Sequence, residues 1–128
     1  MKWLGRTTID AIHQNQIEQH GGLAGIRDEN LLESAIARPR NLALYKGASV
    51  YECAASYCFG LVKNHPFVDG NKRVGFMAAF TFLYINGVDL IAPEPAVVII
   101  IEKLASGVIK EKQLAHWLKA NSKKIIKS

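Results

Sequence analysis

The residues best equipped for chemistry stand together in one run, His65-Pro66-Phe67-Val68-Asp69-Gly70-Asn71-Lys72-Arg73. His65 is the one member able to accept a proton near neutral pH. Asp69 is a hard oxygen donor of the kind that Mg²⁺ takes together with phosphate oxygens. Gly70 lets a ligand approach the backbone, and the helix expected to begin near Asn71 offers free N–H groups and the positive end of its macrodipole to an anion. Lys72 and Arg73 put two cations at that same helix start, where they oppose the dipole until an anion is bound. Base, metal ligand, anion cradle and charge clamp within nine residues are the parts of a phosphoryl or nucleotidyl transfer site. The P-loop and the glycine loop of protein kinases are both absent, so another scaffold must present these groups.

That scaffold reads as all-α. Apolar residues recur at helical spacing, broken by Gly, Pro and Asn rather than by strand-like alternation. Thr7 or Thr8 is placed to cap a first helix running to about Gln19, with Ile9 and Ile12 on its inner face and Gly21-Gly22 ending it. Asp28 caps a second, short helix carrying Leu31, Leu32, Ala35 and Ile36, which Pro39 stops. The stretch from Arg40 to Ser49 lacks a period and reads as a mobile loop with room for one brief extended pair. A third helix, Val50 to about Asn64, delivers His65 at its exit because Pro66 cannot continue it. The fourth, from Asn71 to the Asn86-Gly87 turn, is apolar on nearly all sides and is the expected central buried helix. Pro93 or Pro95 opens a fifth, and Leu114, Trp117 and Leu118 define a last one before a frayed basic tail. The expected organisation is one domain over residues 1–120 and a tail over 121–128.

Composition narrows the function classes. A chain of 128 residues, 49% hydrophobic and 21% charged, fits a single globular domain. Residues 1–102 hold nine basic and ten acidic side chains, whereas 103–128 hold seven Lys and one Glu, so the net charge of +5 resides in the C-terminal part. A Lys-rich solvated helix and tail accounts for it, which argues against direct nucleic-acid binding. The longest apolar stretch falls far short of the ~20 residues of a bilayer span, and the first residues lack a secretory pattern, so a cytoplasmic location without membrane contact is expected. Cys53 and Cys58 match no zinc or redox spacing and read as reduced core residues; His13, His20 and His116 read as structural.

The run H-x-F-x-D-x-N-K-R resembles the signature of Doc toxins, a branch of the Fic superfamily whose more typical members carry H-P-F-x-x-G-N-G-R-x-x-R. Gly21-Gly22, Gly25-Ile26-Arg27-Asp28, Leu31-Leu32-Glu33-Ser34-Ala35, Arg38-Pro39 and Asn86-Gly87 follow the same resemblance in order. It implies a Fic/Doc helical bundle, ATP as substrate with Mg²⁺, a protein hydroxyl as acceptor, and neutralisation by a cognate antitoxin of the Phd type. Doc relatives phosphorylate translation elongation factor Tu and arrest protein synthesis, so that is the implied target. By motif position, His65 is the general base, Asp69 holds Mg²⁺, and Gly70, Asn71, Lys72 and Arg73 bind phosphates. Phe67 anchors the loop, and Lys63 assists phosphate binding.

Taken singly, a histidine at a helix exit caps carbonyls and a lysine on a first turn is merely solvated. Phe67, Asp69 and Asn71 at the family spacing decide for the catalytic reading. Two other functions compete with a Doc-type kinase: a Fic-type protein adenylyltransferase, and a catalytically weak module that only binds its antitoxin. Lys72 stands where the adenylylating motif has Gly, and Phe76 where it has its second Arg, which favours phosphate over AMP transfer. The autoinhibitory [ST]-x-x-x-E-[GN] pattern of some Fic proteins is missing, so restraint is expected in trans, from an antitoxin segment filling an apolar groove beside the motif.

Overall fold

The computed structural model describes residues 1–126 as six helices and one small sheet. In chain order these are α1 (Arg6–His20), α2 (Glu29–Lys46), α3 (Val50–Asn64), α4 (Asn71–Ile85), β1 (Val88–Leu90), α5 (Glu94–Ala105), α6 (Glu111–Ala120) and β2 (Ser122–Lys124). The all-α class expected from periodicity is what the chain adopts. The central buried helix is α3, the one that leads into the motif, and not α4. Every residue of α3 from Cys53 to Val62 except Phe59 is buried, whereas α4 buries one face and leaves Tyr84 and Ile85 exposed. Small side chains explain how α3 takes this place. A Cβ on Gly60 would come within 3.2 Å of Ala35 Cβ on α2, and one on Gly75 of α4 within 3.1 Å of the Cys58 carbonyl oxygen. Neighbouring helices therefore approach α3 to backbone contact on two sides.

The start of α3 is fixed by a reciprocal cap. The Glu52 N–H donates to Ser49 Oγ at 3.2 Å and the Ser49 N–H donates to Glu52 Oε1 at 3.0 Å, which satisfies two otherwise orphaned donors. Backbone and side chain of Ser49 hold the Glu52 carboxyl below its ordinary range. Asp28 caps α2 as expected, accepting from the Leu31 N–H at 2.9 Å. For α1 the expectation fails: Gly5, not Thr7 or Thr8, is the N-cap, and no side chain caps the helix.

Four further expectations are corrected. Pro39 does not stop α2 but sits fully buried inside it, and the supposed loop from Arg40 continues as helix to Lys46, where Gly47 closes it in a left-handed turn. Proline costs a helix one hydrogen bond. Here Pro39 is fully buried and Ala43, one turn on, packs against the core, so burial outweighs the lost bond. Directly after α6 the chain does not fray over Ser122–Lys124. Ser122–Lys124 pairs antiparallel with Val88–Leu90, opposing Asp89 with Lys123, while Val88 and Leu90 face the core; opposite charges across a strand pair are favourable. The brief extended pair is therefore at the end of the chain and not between α2 and α3. Lys127 and Ser128, part of the expected tail, lie outside the described residues. Among the described residues, no helix is long and apolar enough to cross a membrane.

Candidate active site

The motif is the turn between α3 and α4, and an unusual conformation opens it. His65 is the C-cap of α3 with φ 49°, the one non-glycine residue with positive φ among those described. A left-handed histidine costs free energy and persists only where its surroundings over-determine it. Several bonds do so. Arg27 donates from Nε to the His65 carbonyl at 2.6 Å and from Nη2 to the Asn64 carbonyl at 2.8 Å. The N–H groups of Arg27 and Asp28 both donate to the Pro66 carbonyl, at 2.7 and 3.0 Å, and the Val68 N–H donates to the Gly25 carbonyl at 3.0 Å. Residues 25–28 thus clamp the motif from outside, with Ile26 paired to Phe67 as a single antiparallel bridge. The imidazole itself stays exposed.

From inside, the loop is held by Phe67, Asn71 and His13. Phe67 is 1% exposed and stacks on the His13 ring, with centroids 3.9 Å apart and planes 8° from parallel. His13 also places Nε2 3.0 Å from the Asp69 carbonyl oxygen; since a carbonyl only accepts, Nε2 carries the proton. Asn71 is buried, and its amide closes a ring on Phe67, accepting from the Phe67 N–H at 3.0 Å and donating to the Phe67 carbonyl at 2.9 Å. Its side chain is therefore a staple of the loop. With the side chain so engaged, the group of Asn71 left for the expected phosphate contact is its backbone N–H.

Gly70, with φ 83°, is the N-cap of α4, and no side chain caps the helix. The first-turn N–H groups of Asn71, Lys72 and Arg73 consequently face the cleft in front of α4 with the macrodipole behind them. The cleft has a volume of about 740 Å³, within the range that takes small-molecule ligands. It is lined by His20, Gly21 and Gly22 after α1, by His65 and the segment from Asp69 to Arg73, and by Glu102, Ala105 and Ser106 at the end of α5. Asp69 is oriented by the Leu23 N–H, which donates to Oδ2 at 2.7 Å. Gly22, with φ 110°, must be glycine there, since a Cβ would lie 3.2 Å from Asp69 Cβ. Arg73 reaches across the cleft toward the Gly21 carbonyl at 3.4 Å.

The donor set suits Mg²⁺ in the manner that ion prefers. Asp69 offers one carboxylate beside an anion cradle, and no cluster of three His, Cys, Asp or Glu exists among the described residues; Mg²⁺ at nucleotide sites takes most of its ligands from phosphate and water. The structure thus brings His65, Asp69, Gly70, Asn71, Lys72 and Arg73 to one cleft. Lys63 is set apart. Its Nζ donates to the Ala105 carbonyl at 3.1 Å, bracing α3 against the end of α5.

Sequence reading missed four contributors: His13, Arg27 as a loop clamp, the Leu23 N–H, and Glu102. For His13 a signal existed. It follows Ile9 and Ile12 on the inner face of α1, and a histidine on a buried stripe needs a partner. Glu102 gave none, because its meeting with Lys72 depends on how α5 packs.

Comparison with known proteins bears on the same region. The family model described as Fic/DOC family matches residues 3–83, which include the whole motif and the clamp around it. A toxin Doc of Mycolicibacterium smegmatis is 46% identical over 76 residues, 56% of this chain and 57% of that toxin, so the chain spans little more than half of its length. A protein kinase doc of Escherichia phage P1 is 32% identical over 98 residues, 75% of this chain and 78% of the relative.

Proposed function

The chain belongs to the Fic/DOC family, within its Doc branch, and on that premise we propose that it is the toxin of a toxin–antitoxin pair. It transfers the γ-phosphate of ATP to a hydroxyl of a host protein in the cytoplasm. Elongation factor Tu is the expected target, and arrest of translation and growth the result. The observation that carries this reading is the uncapped start of α4, with three first-turn N–H groups and two cations, directly after a base held in a strained, exposed position.

In this reading the terminal phosphates lie against the N–H groups of Asn71, Lys72 and Arg73, with the Lys72 and Arg73 side chains on their oxygens. Asp69 would hold Mg²⁺, which when bound neutralises charge on the phosphates. The acceptor hydroxyl lies beside the exposed imidazole. A ring nitrogen of His65 takes the hydroxyl proton as the acceptor oxygen bonds to the γ-phosphorus, the bond to the β–γ bridging oxygen breaks, and ADP leaves. Lys72 and Phe76 support phosphate over AMP transfer. The lysine puts a long cationic side chain where the adenylylating motif has Gly, and Phe76 is a half-buried aromatic that supplies no second clamp.

Restraint in trans, by an antitoxin of the Phd type, suits the surface next to the motif. Phe76, Phe80 and Tyr84 form a ladder along α4, with centroid spacings of 6.5 and 6.3 Å, and α5 leaves Val98 and Ile99 more than half exposed. An amphipathic antitoxin helix would cover such a face. The test is expression in bacteria with and without the antitoxin. Growth should stop when the chain is made alone and resume when the antitoxin is co-expressed. Normal growth at every level of the chain alone would refute the toxin reading.

A further inference from the structure

The cleft is electrically two-sided. One wall carries the positive end of α4 with Lys72 and Arg73; the facing wall is the C-terminal end of α5, where helix carbonyls gather partial negative charge, together with the Glu102 carboxylate. The two walls are joined by a single ion pair. Lys72 Nζ lies 3.0 Å from one Glu102 carboxylate oxygen and 3.1 Å from the other, so both oxygens hold the same ammonium. That is the arrangement in which a phosphate would take this lysine: two anionic oxygens on one point charge. The lysine side chain is 52% exposed and the glutamate 58%, so solvent screens their attraction and the pair breaks at small cost. Arg73, the neighbouring cation, meets only a carbonyl oxygen of the 21–23 loop among its hydrogen bonds. Glu102 thus singles out Lys72.

We infer that Glu102 is a built-in competitor of polyphosphate for Lys72. It holds the ammonium in the free protein, and a polyphosphate must displace it to engage the clamp, so Glu102 sets how tightly the cleft takes its anionic ligand. The inference rests on the reading of the α4 terminus as the phosphate site. Displacement has two parts: the ion pair is given up, and the released carboxylate stays close to the incoming negative charge. Removing the charge of Glu102 while keeping its shape therefore strengthens binding. An exposed ion pair of this kind corresponds to roughly a two- to fivefold change in dissociation constant.

The experiment is calorimetric titration of the whole chain with inorganic tripolyphosphate in metal-free buffer at low salt, for the unmodified protein, E102Q, K72M and the double variant. Both side chains lie at the surface, so the core is untouched. E102Q should bind about two- to fivefold more tightly, K72M more weakly, and the gain from E102Q should shrink in the K72M background, where no ammonium is left to compete for. Weaker or equal binding by E102Q, a gain of the same size in both backgrounds, or no tripolyphosphate binding by any of the four proteins would overturn the inference. ADP titrated in parallel with Mg²⁺ present separates the two readings. Tripolyphosphate behaving as expected while ADP fails to bind refutes the nucleotide reading and leaves the role of Glu102 standing.

Discussion

Replacing Asn71 by alanine tests whether the motif asparagine works through its side chain on a ligand or on the loop. The amide makes two hydrogen bonds to the backbone of Phe67, at 3.0 and 2.9 Å, in a position 5% exposed. Each neutral bond contributes about 1 kcal/mol net, and stranding the Phe67 N–H and carbonyl in a buried site adds a desolvation cost, for a total near ~2–4 kcal/mol. For a domain of this size 1 kcal/mol shifts the midpoint by about 3–5 °C, so Asn71→Ala should melt roughly 6–20 °C lower by calorimetry. The backbone N–H of residue 71 survives the substitution, so polyphosphate affinity measured well below the melting point should change little. Turnover should fall steeply, because a loosened loop misplaces His65 and Asp69, and misplacement of about 1 Å is worth ~10²-fold. A variant that melts within about 2 °C of the parent yet loses polyphosphate affinity tenfold would refute the reasoning and make the side chain a phosphate ligand.

Three other outcomes are expected. His65→Ala should reduce transfer by about 10²- to 10⁴-fold with an unchanged circular dichroism spectrum, and undiminished transfer would remove His65 from the chemistry. Gly75→Ala would put a Cβ 2.9 Å from Val62 Cγ2 and 3.1 Å from the Cys58 carbonyl oxygen, so α3 and α4 must part and stability should drop by roughly 1–3 kcal/mol in urea titrations; a neutral result would contradict the packing described. Burial pushes the Cys58 thiol up to about 12, a raised folded value, so its contribution is complete below the unfolded value near ~9 and is lost as pH climbs toward the folded one. Stability should therefore decline above pH ~9 by up to about 1.4 kcal/mol per unit on account of this group, with a shallower slope in Cys58→Ala; identical slopes would show that the thiol is not the cause.

The fold was legible where a local signal and the tertiary environment agree. The limits of α3 and α4, the Asp28 cap and the motif between the two helices follow from Pro66, Gly70, Asn86 and apolar spacing, all short-range features. Where long-range packing overrides propensity, the sequence misleads. Pro39 stays inside α2 fully buried, with its carbonyl against Cys53 of α3, a fact invisible to any window around residue 39. The pairing of Ser122–Lys124 with Val88–Leu90 joins segments more than thirty residues apart, and three-residue strands carry too little alternation to be recognised. Within the site, two side chains have backbone partners that residue identity did not announce. Asn71 turns inward onto Phe67, and Lys63 turns onto the Ala105 carbonyl. His13 reads as structural from sequence. It is so, yet its partners are the motif's own Phe67 and Asp69. Arginine and glutamate at Arg27 and Glu102 look like ordinary surface charges in sequence, because their partners are a backbone turn and a lysine from distant segments.

The central claim, a phosphate-transferring site at the start of α4, is tested most directly by following the label. The purified chain is incubated with Mg²⁺, elongation factor Tu from a bacterial lysate, and ATP carrying label at either the α or the γ position, and the acceptor is then weighed by mass spectrometry. The account predicts γ-label on the acceptor, a gain of about 80 Da, and no transfer by His65→Ala. Label from the α-phosphate with a gain of about 329 Da would contradict it, since Lys72 and Phe76 could not then have the consequences assigned to them.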